Sequence, residues 1–115
     1  MTLHIFKETP VRLPRKRLYA LFDMIAREEA PKQSGQVNLV LTTDENIRGL
    51  NRHFRKKDYA TDVLSFNIED KPDDDDTFGE IYVSVPTARR QAEEFAQTLS
   101  EELLRLTCHG MLHLL

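Results

Sequence analysis

Thr98-Leu99-Ser100-Glu101-Glu102-Leu103-Leu104-Arg105-Leu106-Thr107-Cys108-His109-Gly110-Met111-Leu112-His113-Leu114-Leu115 is the stretch on which the reading of the whole chain turns. Thr98 and Glu101 have the spacing of a capping box, so a helix begins there, and the apolar run after it carries that helix to Leu115. Wound at about 100° per residue, Leu103, Leu104, Thr107, Met111 and Leu114 fall on one side. His109 and His113 fall opposite, beside Glu102 and Arg105. Residues four apart stand one above the other, roughly 5 to 6 Å apart at Cβ, so two imidazoles there can converge on a single metal ion. An exposed histidine pair on a half-polar face is also a common solvated pattern. Two features favour the chemical reading. After Leu106 the helix is apolar almost all round, so its histidines face a cavity or another element, where an unpartnered imidazole is costly. Gly110 is the second: an interior helix glycine costs up to ~1 kcal/mol relative to alanine, which points to something packed on bare backbone, either next to the ligands or in a simple close contact. Zinc or a similar borderline ion suits neutral imidazoles. A catalytic zinc usually takes three protein ligands, so a third must come from elsewhere or from sequence past Leu115. The zinc-protease helix has Glu directly after its first histidine as general base; Gly110 stands there, which disfavours peptide hydrolysis by that route.

Working outward, Ile81, Val83 and Val85 alternate with Tyr82 and Ser84 as a strand, and Pro86 then opens a helix whose buried stripe is Ala88, Ala92, Phe95 and Ala96. Val63 to Ile68 is another strand, followed by an acidic solvated loop over 69–76. Val37 to Thr42 alternates and is β-branched. Thr42 with Glu45 forms a capping box for a helix that carries Ile47, Leu50 and Phe54 inward. Leu18, Leu21, Phe22, Ile25 and Ala26 make the stripe of an earlier helix, and Leu3 to Phe6 a short first strand. The order β-α-β-α-β-β-α-α, without internal repeats, predicts a single α+β domain over residues 1–115, with one small mixed sheet packed with helices.

Composition narrows the class. The chain has 115 residues, 40% hydrophobic and 30% charged, with net charge -3. Those values fit one core and argue against coating nucleic acid by global positive charge, which leaves only local basic patches. Cys108 is the only cysteine, so no internal disulfide forms; it reads as a small buried hydrophobe in a reducing compartment, with a catalytic thiol beside His109 as the sharper alternative. The first residues lack the pattern of a secretory signal, and no apolar run approaches the ~18 residues of a membrane span, so a cytoplasmic protein is expected.

One basic patch stands out. Arg48, Arg52, Arg55 and Lys56 recur at i, i+4, i+7 and i+8, with Lys57 following and no acid between Ile47 and Lys57. A solvated face is the default for such a run. Guanidinium forks nevertheless match phosphate oxygens, and in an acidic chain the stripe is a candidate anion track. Asp62, in Asp58-Tyr59-Ala60-Thr61-Asp62, has turn chemistry and reads as holding the approach to the next strand.

Leu50-Asn51-Arg52-His53-Phe54-Arg55-Lys56-Lys57-Asp58, Thr61-Asp62-Val63-Leu64-Ser65-Phe66, Gly79-Glu80-Ile81-Tyr82-Val83-Ser84 and His109-Gly110-Met111-Leu112-His113-Leu114-Leu115 together resemble the YbeY family, in the right order over residues 37–115. Members of that family are bacterial metal-dependent endoribonucleases with a zincin-like α+β fold, acting in small-subunit ribosomal RNA 3′-end maturation and in ribosome quality control. The resemblance implies that His109 and His113 hold one Zn²⁺, or another divalent metal, per chain. It implies a third ligand in a Gly-Tyr-Asp-His run following Leu115, outside this chain. Arg55 matches the family's functional arginine, expected to stabilise charge on the phosphate, while Arg52, Lys56 and Lys57 are expected to track the RNA backbone. The partners implied are single-stranded and ribosomal RNA, the small ribosomal subunit and assembly factors, with no membrane and no DNA. Two alternatives stay open: a non-catalytic ribosome-assembly factor with a structural metal, and a metal-dependent hydrolase of another substrate. The sequence departs from the family's pattern at Lys56, where the turn usually carries glycine, and at Ala60 and Asn67, where proline is usual.

Overall fold

Alternating apolar side chains build four strands, β1 (Thr2–Lys7), β2 (Gln36–Thr42), β3 (Val63–Asn67) and β4 (Thr77–Ser84). The 3.6-residue stripes build four helices, α1 (Arg15–Glu29), α2 (Asp44–Arg55), α3 (Val85–Glu94) and α4 (Leu99–Leu114). The computed structural model describes residues 1–68 and 76–115, so the acidic loop expected at 69–76 lies, Asp76 apart, outside the described residues. The strands are ordered β1-β2-β4-β3 in one sheet. β1 with β2 and β2 with β4 are parallel, whereas β3 runs antiparallel to β4 and forms an edge. The expected α+β class and element order both hold. No described helix is long and apolar enough to cross a membrane.

Side chains alternate across a strand, and the two faces of this sheet are covered differently. Val37, Leu39, Leu41, Ile81 and Val83 join Leu18, Phe22, Leu103, Leu106 and Met111 in one buried core. Burial of each such side chain contributes about 1.5–3 kcal/mol. Val40 and Leu64, at the intervening positions, are buried with Ile47 on the side where α2 packs against β3 and β4. Asp44, in the first turn of α2, accepts hydrogen bonds from Ser84, from Thr87 at 2.6 Å and from Arg90 at 2.9 Å. Burial pushes its carboxyl upward, but these donors outweigh burial and hold it below the usual carboxylate range. The carboxylate thereby ties the start of α2 to the start of α3.

Several local expectations shift. Thr43, not Thr42, caps α2, accepting from the Asn46 N–H, while Thr42 ends β2 and its hydroxyl accepts from the Asn46 side chain. The buried register of α2 runs from Ile47 to Asn51, four residues on, so Phe54 turns outward and is 61% exposed. Val85 begins α3 rather than ending β4, and α3 stops at Glu94, which leaves Phe95 and Ala96 exposed. Glu102, expected on the polar side of α4, is fully buried, because α1 and α3 flank that helix as well as the sheet beneath it. Arg105, one turn on, donates from Nε to its Oε1 at 2.6 Å. Leu104 and Cys108 are only half-buried.

α4 reaches the sheet through two glycines. A Cβ on Gly110 would stand 2.6 Å from Ile81 Cγ2, and a Cβ on Gly79 would stand 2.7 Å from Leu114 Cδ1. Each element thus presents bare backbone to a side chain of the other. Ser65 Oγ also donates to the Gly110 carbonyl at 2.9 Å, joining the edge strand to the middle of the helix. The close approach proposed from Gly110 alone is therefore a contact with β3 and β4. Gly49 in α2 has nothing among the described residues within 4 Å of its missing Cβ, which makes it a control. Gly110→Ala is expected to lower stability by about 1–3 kcal/mol through overpacking, and Gly49→Ala to raise it by up to about 1 kcal/mol; urea unfolding midpoints of the two variants check the difference in sign.

Candidate functional site

No strand among the described residues pairs the outer side of β3. A cleft of about 310 Å³ opens beside it. The turn and strand from Thr61 to Ser65 contribute one part of its lining, α4 contributes His109, Gly110 and His113, and the last residue of α2 contributes Arg55. Three segments far apart in sequence therefore meet at one sheet edge.

Arg55 owes its position to the way α2 ends. Lys56 takes the left-handed conformation, φ 56° and ψ 34°, and reverses the chain. The Asn51 carbonyl accepts from the Lys57 N–H at 3.3 Å, and the Asn51 side-chain amide donates to the Tyr59 carbonyl at 3.0 Å. One buried asparagine thus fastens both ends of the loop that follows Arg55. Asp62 holds the next turn: its Oδ1 accepts from the Val63 N–H at 2.8 Å, its Oδ2 accepts from Gln91 at 3.4 Å, and its carbonyl accepts from the Ser84 N–H. Sequence reasoning assigned Asp62 this holding role but gave none to Asn51 or Ser65. Their signal was a polar residue on an apolar register, Asn51 four after Ile47 and Ser65 inside Val63–Phe66.

The basic stripe divides. Arg48 donates to Asp58 from Nε at 2.8 Å, and Arg52 lies 3.7 Å from the same carboxylate. The hydrogen bond from Arg48 is the main reason the Asp58 carboxyl is held below its ordinary range. Arg55 has no ion-pair partner among the described residues and lines the cleft. Arg52, Lys56 and Lys57 are exposed and lie outside the cleft lining; Arg52 borders a separate groove with His53, Phe54 and Tyr82. The structure therefore brings Arg55, His109 and His113 together and does not bring Arg52, Lys56 or Lys57 to them.

His109 and His113 sit on consecutive turns of α4, both exposed on the cleft. Their donor chemistry suits a borderline divalent ion. Among the described residues no three His, Cys, Asp or Glu side chains converge as a ligand set, so the cleft offers two candidate ligands. Ser65 and Ile81 fix the backbone between those two histidines from below, which gives both side chains a rigid base.

The model of the family described as endoribonuclease YbeY matches residues 7–115. The chain belongs to the YbeY endoribonuclease family. Relatives named endoribonuclease YbeY include one from Heliobacterium modesticaldum, 45% identical over 96 residues, covering 74% of this chain and 58% of the relative. One from Bacillus licheniformis is 37% identical over 127 residues and covers 100% of this chain and 80% of the relative. One from Nautilia profundicola is 48% identical over 79 residues, covering 69% of this chain and 55% of the relative. A solution structure of a Thermotoga maritima protein, 33% identical, superposes with a TM-score of 0.63 over 97% of this chain and 71% of that one. The chain thus spans 58% of the first of these relatives and 80% of the second.

The left-handed conformation of Lys56 explains why glycine suits that turn. A side chain in that conformation costs about 1–2 kcal/mol, part of which glycine returns through its greater unfolded-state entropy. Lys56→Gly is expected to raise stability by about 0.5–1 kcal/mol, read as a higher urea midpoint; a lower midpoint contradicts the turn geometry that places Arg55.

Proposed function

We propose that this chain acts as a metal-dependent endoribonuclease on single-stranded RNA, with Arg55 engaging the scissile phosphate and His109 and His113 as metal ligands. The observation that carries the reading is the meeting, in one cleft at a sheet edge, of two imidazoles and a guanidinium that has no ion-pair partner among the described residues. Family membership supports RNA as the substrate. The proposed setting is the cytoplasm, in 3′-end maturation of small-subunit ribosomal RNA and ribosome quality control, with the small subunit and assembly factors as partners.

A bound divalent ion, zinc by the donor set, would supply Lewis acidity to the phosphoryl or attacking oxygen. The chain's own residues do the rest. The planar fork of Arg55 matches two phosphate oxygens and stabilises charge that grows toward the transition state, so it raises turnover more than ground-state binding. Among the described residues no acid pairs with Arg55, which keeps its donors available to an anion. Asn51 and the Lys56 turn fix the backbone that carries Arg55 at the end of α2, while Ser65 and Ile81 fix the α4 backbone between the two histidines. Asp62 is engaged by Val63 and Gln91 and serves as a support for the turn. Arg52, Lys56 and Lys57 act on the RNA outside the cleft, as a salt-sensitive backbone track.

The test is cleavage of end-labelled single-stranded RNA by the chain, alone and extended past Leu115 by the family's Gly-Tyr-Asp-His run, with metal content measured in parallel. Arg55→Ala is expected to lower kcat/KM by about 10²–10³-fold with metal content unchanged, and His113→Ala to lose both metal and cleavage. Cleavage that survives both substitutions, or its absence from a fully metal-loaded extended chain, overturns the reading.

A further inference from the structure

We propose that the Phe54 ring, backed by Phe66 and bordered by Arg52, is a stacking platform for an unpaired RNA base just outside the cleft. The inference rests on the reading of the chain as acting on RNA and adds a binding subsite to it. Phe54 is 61% exposed, yet it is not a lone surface apolar residue. Its ring centroid lies 5.1 Å from that of Phe66, tilted by 54°, and 4.6 Å from the His53 imidazole, which meets it edge-on. Phe66 in turn packs 6.0 Å from Tyr82. The rings form a row across β3 and β4 whose outer member offers itself to solvent.

Charge says what covers it. Arg52, Arg55, Lys56 and Lys57 surround Phe54 in sequence, and only Asp58 opposes them within that loop. Arg55 and Phe54 are consecutive, the first lining the cleft and the second a groove of about 540 Å³ that Arg52 also borders. Adjacent residues at the end of one helix therefore present a phosphate ligand and a stacking face, which is the pairing a nucleotide requires. A strand leaving the cleft at Arg55 passes around the end of α2, with a base on Phe54 and the next phosphate toward Arg52. Glu8 and Glu45 line the far part of that groove, and the Tyr82 hydroxyl donates to Glu80 at 3.1 Å. Phosphates are repelled there, so the footprint ends after about one base. Stacking tolerates any base, and duplex RNA, whose bases are already stacked, is excluded.

The chain has no tryptophan, so Phe54→Trp installs its sole tryptophan on the platform, excited apart from the three tyrosines at the red edge of the absorption band. Single-stranded oligoadenylate is expected to quench it in step with binding followed by anisotropy of the labelled oligomer, while duplex RNA and inorganic polyphosphate leave it unchanged. Phe54→Leu, which keeps an apolar side chain without a π face, is expected to weaken oligomer binding by about 5- to 50-fold. Binding without quenching, or parental affinity in Phe54→Leu, overturns the platform while leaving the nuclease reading in place; the second result marks a plain apolar contact such as a protein partner makes. No RNA binding by anisotropy overturns both.

Discussion

The structure depends on how closely α4 lies on the β3–β4 hairpin. Bare backbone at Gly110 admits Ile81, bare backbone at Gly79 admits Leu114, and Ser65 bonds the helix carbonyl between the two histidines. Interiors are packed densely enough that a single added methyl group is felt, so this contact fixes the height of the helix over the sheet. It also fixes where His109 and His113 emerge, because both project from the turns on either side of the contact. A helix that stood farther off would keep its core face buried against α1 and α3 but would carry the imidazoles away from Arg55.

The opposite side of the cleft is set by polar rather than apolar bonds. Asp44 ties α2 to α3, buried Asn51 gathers the loop after Arg55, and Asp62 caps the start of β3. Each makes several bonds at once. A buried polar group without partners is costly, and Asn51 leaves only its Oδ1 unpartnered while both the carbonyl and the amide nitrogen are used. The two sides therefore answer to different physics, a steric seat for the helix that carries the imidazoles and a hydrogen-bonded clamp on the loop that follows Arg55, and they meet at β3, an edge strand whose outer side no strand among the described residues pairs.

Much of this was legible in the residues. The order of strands and helices followed from apolar periodicity, and the Thr98–Glu101 capping box forms as expected. Gly110, costly inside a helix, points to something packed on bare backbone, and that neighbour is the β3–β4 hairpin. What periodicity missed was rotation and surroundings. On α2 the inward register at the fourth residue from Ile47 is filled by asparagine, so a search for apolar stripes assigned Phe54 inward instead. On α4 Glu102 was placed with the polar residues because its burial comes from α1 and α3, elements distant in sequence. The split of the basic stripe was hidden for a similar reason: Asp58 draws Arg48 and Arg52 to itself only after Lys56 has turned the chain through a left-handed residue.

This packing holds the turns that carry the two imidazoles of α4 as one unit. Zinc titration of the ¹⁵N-histidine-labelled chain, followed through the ring nitrogens, tests it most directly, since His4 and His53 serve as internal references in the same spectrum. His109 and His113 are expected to respond together, with a single midpoint, while His4 and His53 do not move. Separate midpoints for the two rings, or equal responses from all the histidines, would contradict it.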